Sequence, residues 1–184
     1  MSKSNRVYVI VVLEDARQQM LARRYLKKRG VGEREMRIER SPSGEGNAEG
    51  WVRKTFVKEV SVYRGRQAKT ALIVLIDADN HTVQDRWRQL DQALLEGGKQ
   101  GIEFDREQIA RLIPKRNVGT WILCLNEQPV NEETDYKRAR DDWNELIPQA
   151  AETLFQLTYR QAALPNWCTE SLQSATRELK HLEL

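Results

Sequence analysis

Histidine and cysteine are nearly missing, with two of each in 184 residues. Cys124, Cys168, His81 and His181 are too few for a disulfide framework and exclude a structural zinc finger. Long apolar runs are missing too. The longest, Val7 to Leu13, is far shorter than the roughly 20 residues of a membrane-spanning helix. No small-residue cleavage site follows it, so the segment from Met1 to Arg6 is not expected to begin a secretory signal. A cytoplasmic protein with no membrane role is the default expectation. Neither charge sign dominates: 30 basic against 27 acidic residues leave +3. Five Pro, ten Gly, and no repeat or low-complexity stretch exclude fibrous and disordered classes. The length suits one domain with at most a small appendage. A phosphate-binding Gly-Lys-Ser/Thr loop, a nucleophile elbow and a Ser-His-Asp arrangement are all absent.

Two strongly apolar, β-branched runs stand out, Val7 to Leu13 and Ala71 to Ile76. Such runs suit buried strands of a parallel sheet. Helical spacing follows the first over residues 16–29, with Gly30 as a stop. Met36 to Arg40 predicts a short strand, and Ser41 to Asn47 a loop. Trp51, Val52, Phe56, Val60 and Tyr63 mark a second helix ending near Gly65, and His81 to Leu95 a third ending at Gly97-Gly98. The alternation predicts an α/β, Rossmann-like, mostly parallel sheet. Ile109 to Ile113 reads as a strand broken by Pro114, and Trp121 to Leu125 as either a strand or a short helix. From Tyr136 the chain reads helical, interrupted at Pro148 and Pro165. The expected division is an α/β domain over 1–130 and a helical C-terminal extension over 131–184.

The small net charge conceals an asymmetry. Residues 1–40 carry 11 basic and 5 acidic side chains, and residues 131–184 carry 6 and 10. Arg23, Arg24, Lys27, Lys28 and Arg29 are the densest basic run, and helical spacing groups them on one face. That face is either simply solvated or tracks a phosphate backbone.

Three acids sit where α/β sheets place ligands, outside the carboxyl ends of strands. Glu14 ends the first apolar run, and Asp77 and Asp79 end the second. In extended backbone, residues two apart point to the same side, so Asp77 and Asp79 are expected to converge. Clustered carboxylates repel unless a cation joins them, and oxygen-only donors favour Mg²⁺ or Mn²⁺ over Zn²⁺. The competing reading of such acids is helix capping, which suits Asp15 and is open to Asp79. His81 is either a site residue or the start of a helix. Trp51, Trp87, Trp121 and Trp143 fall in amphipathic patterns as core or interface anchors rather than base-stacking platforms. Cys124, between Leu123 and Leu125, reads as a buried hydrophobe.

Glu14 after one strand and Asp77-x-Asp79 after a later one resemble the Toprim domain. That domain occurs in topoisomerases, bacterial primases and nucleases of the overcoming-lysogenization-defect family. The resemblance covers roughly residues 6–125 and implies a general acid or base at Glu14 and a metal-holding pair at Asp77 and Asp79. Further stretches resemble small Toprim-like proteins encoded beside an ATPase in bacterial antiphage-defence islands. These are Ser41-Pro42-Ser43-Gly44-Glu45-Gly46, Trp51-Val52-Arg53, Pro114 to Trp121, and Glu132-Glu133-Thr134-Asp135-Tyr136-Lys137. In that group a Glu is expected where this chain has Gly119. Its absence implies a weakened or silent site unless Glu132, Glu133 or Asp135 takes its place.

The expected function is Mg²⁺- or Mn²⁺-dependent cleavage of a phosphodiester. Glu14, Asp77 and Asp79 hold metal, Lys115 or Arg116 stabilises charge on phosphorus, and Arg23, Arg24, Lys27 and Lys28 track the nucleic acid. The alternative is a non-catalytic Toprim-like subunit that regulates an ATPase partner through its acidic C-terminal helices. A phosphatase is a third option, although the haloacid-dehalogenase type places its Asp-x-Asp pair earlier and has Thr or Val where His81 stands. DNA against RNA, and a homo-oligomer against a single chain, are left open.

Overall fold

The computed structural model describes residues 6–44, 46–159 and 163–184. Residues 1–5 of the segment read for a signal, Glu45 of the 41–47 loop, and residues 160–162 lie outside that description. Four parallel strands form one sheet, β1 (Tyr8–Leu13), β2 (Met36–Arg40), β3 (Thr70–Leu75) and β4 (Ile109–Leu112), in the order β2-β1-β3-β4. The helices are α1 (Ala16–Lys28), α2 (Ala48–Gly65), α3 (Val83–Glu96), α4 (Val118–Leu125), α5 (Trp143–Tyr159) and α6 (Glu170–His181). No helix among the described residues is long and apolar enough to cross a membrane.

Helices cover both faces, so β1 and β3 are buried almost throughout. This is why they read as continuous apolar runs rather than alternating ones. Val9, Val11, Leu13, Ala71, Ile73 and Leu75 pack with α1, α4, α5 and α6. Ile10, Val12, Leu72, Val74 and Ile76 pack with Val52, Phe56 and Val60 of α2 and Leu90 and Leu94 of α3. Helices of the C-terminal segment thus share the first of these two cores.

The strand order places a topological switch point between β1 and β3. The chain leaves β1 towards β2 on one side and returns to β3 on the other, so the loops after β1 and β3 diverge. Open α/β sheets place ligands at such a point.

Two expectations need correction. Residues from Tyr136 do not begin a helix, because side chains of Asn131, Asp135 and Asp142 bind nearby groups and hold turns, and α5 starts only at Trp143. Pro148 does not interrupt that helix. It sits within α5, where it removes one backbone hydrogen bond while Ile147, Ala150, Ala151 and Leu154 bury the surrounding turns. The ambiguous stretch around Trp121 is helical, and all eight residues of α4 are buried.

Candidate active site

The ends of β1 and β3 meet through one hydrogen bond. Glu14 Oε1 accepts the main-chain N–H of Asp77 at 2.6 Å. Gln18, one turn into α1, braces the same junction. Its Oε1 accepts the Glu14 N–H at 2.8 Å, and its Nε2 donates to Asp77 Oδ1 at 2.9 Å. Asp15 caps α1, its Oδ1 accepting the Gln18 N–H at 2.9 Å. From the other face comes Arg86 of α3, which is 2% exposed. Its Nε donates to the Asp77 carbonyl at 2.9 Å, and one terminal nitrogen reaches Glu49 Oε2 at 2.8 Å and Gln89 Oε1 at 2.6 Å. The other terminal nitrogen lies 3.5 Å from Asp79 Oδ2.

Asp77 is 2% exposed, whereas the Asp79 side chain is 47% exposed. The two do not share one extended segment. β3 ends at Leu75, and Asp79 has φ 52°, in the left-handed region. The two-residue alternation expected from the sequence therefore does not apply. Asp79 is held by its own backbone, its N–H donating to the Arg116 carbonyl at 3.0 Å.

This gathering of acids perturbs each of them. Burial, aided by the charges of Asp79 and Asp15, pushes Glu14 up to about 7, against the Asp77 N–H and Arg86, which act the other way. Burial and then Glu14, Asp15 and Asp79 push Asp77 well above the usual carboxylate range. Asp79 is raised by burial and held back by Arg86 and Lys137. Among the described residues no three His, Cys, Asp or Glu side chains form a ready metal cage. The donor chemistry still fits a hard divalent cation: the groups are carboxylates short of counter-charge, with no sulfur or imidazole among them.

The remaining sequence candidates divide by position. Lys115 and Arg116 follow β4 and adjoin the Asp79 turn. Lys115 Nζ donates to the His81 carbonyl at 3.3 Å, and Arg116 donates to Asn80 Oδ1 at 2.6 Å. Both also pair with Glu133, at 3.5 and 3.7 Å. Arg23, Arg24, Lys27 and Lys28 are elsewhere. α1 leaves the carboxyl edge and runs back along the sheet, carrying them roughly 10–18 Å from Ala16. Arg23 and Lys27 pair with Glu33 and Lys28 with Glu152, so only Arg24 of the four has no carboxylate partner among the described residues.

Gly119 is buried at the start of α4, and its N–H donates to Asn117 Oδ1 at 2.9 Å. A Cβ there would lie 2.7 Å from that oxygen and 3.0 Å from Trp143 Cη2. The three nearby acids are engaged elsewhere. Glu132 accepts from Ser171, Glu133 pairs with the two cations above, and Asp135 accepts from Asn117 Nδ2 at 2.7 Å. Trp121 and Trp143 are buried, while Trp51 and Trp87 are partly buried against the second core. Cys124 and Cys168 are free and buried, and burial with the neighbouring Cys124 pushes Cys168 up to about 11.

Sequence reasoning missed Gln18 and Arg86. Both had a signal: each is a polar residue at a position where helical spacing calls for an apolar one. Gln18 precedes Leu21, Ala22 and Tyr25, and Arg86 precedes Leu90 and Leu94 at intervals of four.

No family model and no curated protein matches the chain. Among solved structures it is similar to the C-terminal region of the OLD protein of Xanthomonas campestris pv. campestris. That likeness covers 95% of this chain and 94% of the other, at 11% identity and a TM-score of 0.34. At that score it carries no argument about fold or activity.

Proposed function

We propose that the chain is a divalent-metal-dependent nuclease of Toprim type. The observation that carries the reading is the junction of Glu14 and Asp77 across the switch point, where burial and neighbouring acids raise both carboxyls while Arg86 holds back Glu14. Glu14, Asp77 and Asp79 are the residues that would hold Mg²⁺ or Mn²⁺. When bound, the cation supplies Lewis-acid stabilisation of charge on a phosphoryl oxygen.

The chain's own groups do the rest. Glu14, raised to about 7, is poised near neutrality to hold or give up a proton. Gln18 and Arg86 fix Asp77 by its side chain and its carbonyl. Lys115 and Arg116 adjoin the Asp79 turn and would face an incoming phosphate by exchanging Glu133 for it. Arg24, with Arg23, Lys27 and Lys28, would meet only a strand long enough to reach the opposite edge. An ATPase partner, a role in antiphage defence and a cytoplasmic setting extend the proposal through the sequence resemblance.

The test is cleavage of DNA and RNA with Mg²⁺ or Mn²⁺, comparing the protein with Asp77→Asn and Glu14→Gln. Loss of cleavage in Asp77→Asn, and a fall of about 100-fold or more in Glu14→Gln, is the expected result. Cleavage at the original rate by Asp77→Asn would reject the proposal.

One observation favours a second reading, a silent Toprim-like subunit that regulates an ATPase. Position 119 has no room for a side chain, and Glu132, Glu133 and Asp135 are each bound elsewhere. That reading requires no cation binding and a stable complex with the ATPase.

A further inference from the structure

We propose that Arg40, Ser41 and the amino end of α2 form a subsite for a phosphodiester group of a nucleic-acid strand. This group would be next to the one held at Glu14 and Asp77, so the proposal rests on the nuclease reading above. A cavity of about 350 Å³ opens at the carboxyl edge, and Glu14, Asp15, Arg40, Ser41 and Ala48 lie in its wall.

Ser41 is fixed there by its backbone, whose N–H donates to the Leu13 carbonyl at 3.0 Å and extends the β1–β2 pairing. The residue is 5% exposed, and its Oγ has no hydrogen-bond partner among the described residues. Buried hydroxyls are almost always paired, and this one, sealed from the cavity in its present rotamer, gains a partner by turning about χ1 to an acceptor seated there. A serine hydroxyl has three staggered positions from which to reach it.

Arg40 supplies the charge. It donates to Gln19 Oε1 at 2.9 Å and pairs with no carboxylate among the described residues, unlike Lys115 and Arg116. The amino end of α2, an 18-residue helix capped by Asn47, adds partial positive charge on the same side. Gly44 reverses the connection from β2 to α2 at φ 88°, a conformation open to glycine without cost. Of the described residues in the wall, the acids Asp15 and Glu14 are turned to backbone donors, the Gln18 N–H and the Asp77 N–H. One guanidinium, one hydroxyl and one helix end match the single charge of a phosphodiester better than the double charge of free phosphate. Glu14 belongs both to this wall and to the acidic junction, so such a group would lie beside the junction.

The test is the binding of short fluorescent DNA and RNA oligonucleotides, single- and double-stranded, without divalent cation and across a salt series. Arg40→Gln is expected to weaken binding roughly tenfold or more. It should also reduce the slope of log affinity against log salt by about 0.7–0.9, the value of one phosphate contact. Ser41→Ala is expected to weaken binding about two- to tenfold without changing the slope. Its thermal midpoint should not fall, since no bond is lost from the free protein. Wild-type affinity and slope in both variants would overturn the proposal, as would failure of the unaltered protein to bind any oligonucleotide. Stabilisation by inorganic phosphate alone, with no oligonucleotide bound, would overturn it too. Failure of the nuclease reading looks different: the variants lose binding as expected, yet no cation supports cleavage. Asp77-dependent cleavage together with unaltered binding by both variants rejects the subsite alone.

Discussion

Glu14 Oε1 and the main-chain nitrogen of Asp77 lie 2.6 Å apart across 63 positions of sequence. This bond ties the carboxyl ends of two strands and sets two acids side by side where the sheet changes direction. Burial and the neighbouring acids raise the carboxyls of both residues there.

Stability without divalent cation should fall as pH rises. The folded-state pKa of Glu14 is raised from 4.5 to about 7, so the protonated form is the one the fold favours. That stabilisation is complete below about 4.5 and is lost as pH climbs through 7. Urea midpoints measured from pH 5 to 8 should decline in the unaltered protein. Glu14→Gln keeps an acceptor for the Asp77 N–H and removes the charge, so its profile should be flatter and its midpoint at pH 8 higher. Parallel profiles would count against the acidic junction.

Gln18→Met should cost about 2–6 kcal/mol in urea unfolding. The substitution preserves length but leaves the Glu14 N–H and one Asp77 oxygen unpaired in a buried place, at about 1–3 kcal/mol for each. A change below 0.5 kcal/mol would mean that water replaces both bonds.

Arg86→Met should be more damaging, at about 3 kcal/mol or more, because it strips a buried cation from Glu49 and frees the Asp77 carbonyl. Arg86→Lys restores the charge without the fork and should recover only part of that loss. Chemical unfolding of the two variants side by side separates charge from geometry.

Gly119→Ala should destabilise by about 1–3 kcal/mol despite alanine's better helix propensity, because the added methyl presses on Asn117 Oδ1 and Trp143. Equal or greater stability would show that Trp143 yields easily, and that a larger side chain fits at this position.

Much of the architecture was legible in local pattern. The runs ending at Leu13 and Ile76 are buried on both faces, so hydrophobicity alone exposed them, and the acids after them marked the strand ends. Which strands adjoin was not legible, because the order β2-β1-β3-β4 depends on how α1 and α2 cross the sheet. The same crossing carries Arg23 to Lys28 away from the carboxyl edge, although their helical face was plain. The eight residues of α4 are apolar or small and wholly buried, so no periodicity could separate helix from strand. The left-handed turn at Asp79 comes with a bond to the carbonyl of Arg116, 37 positions on, which no local spacing reveals.

Calorimetric titration of Mn²⁺ into the protein and into Asp77→Asn tests the central claim most directly. Saturable binding by the unaltered protein, weakened at least about tenfold in Asp77→Asn, is the result this account predicts. No Mn²⁺ binding, or equal binding by both proteins, would contradict it.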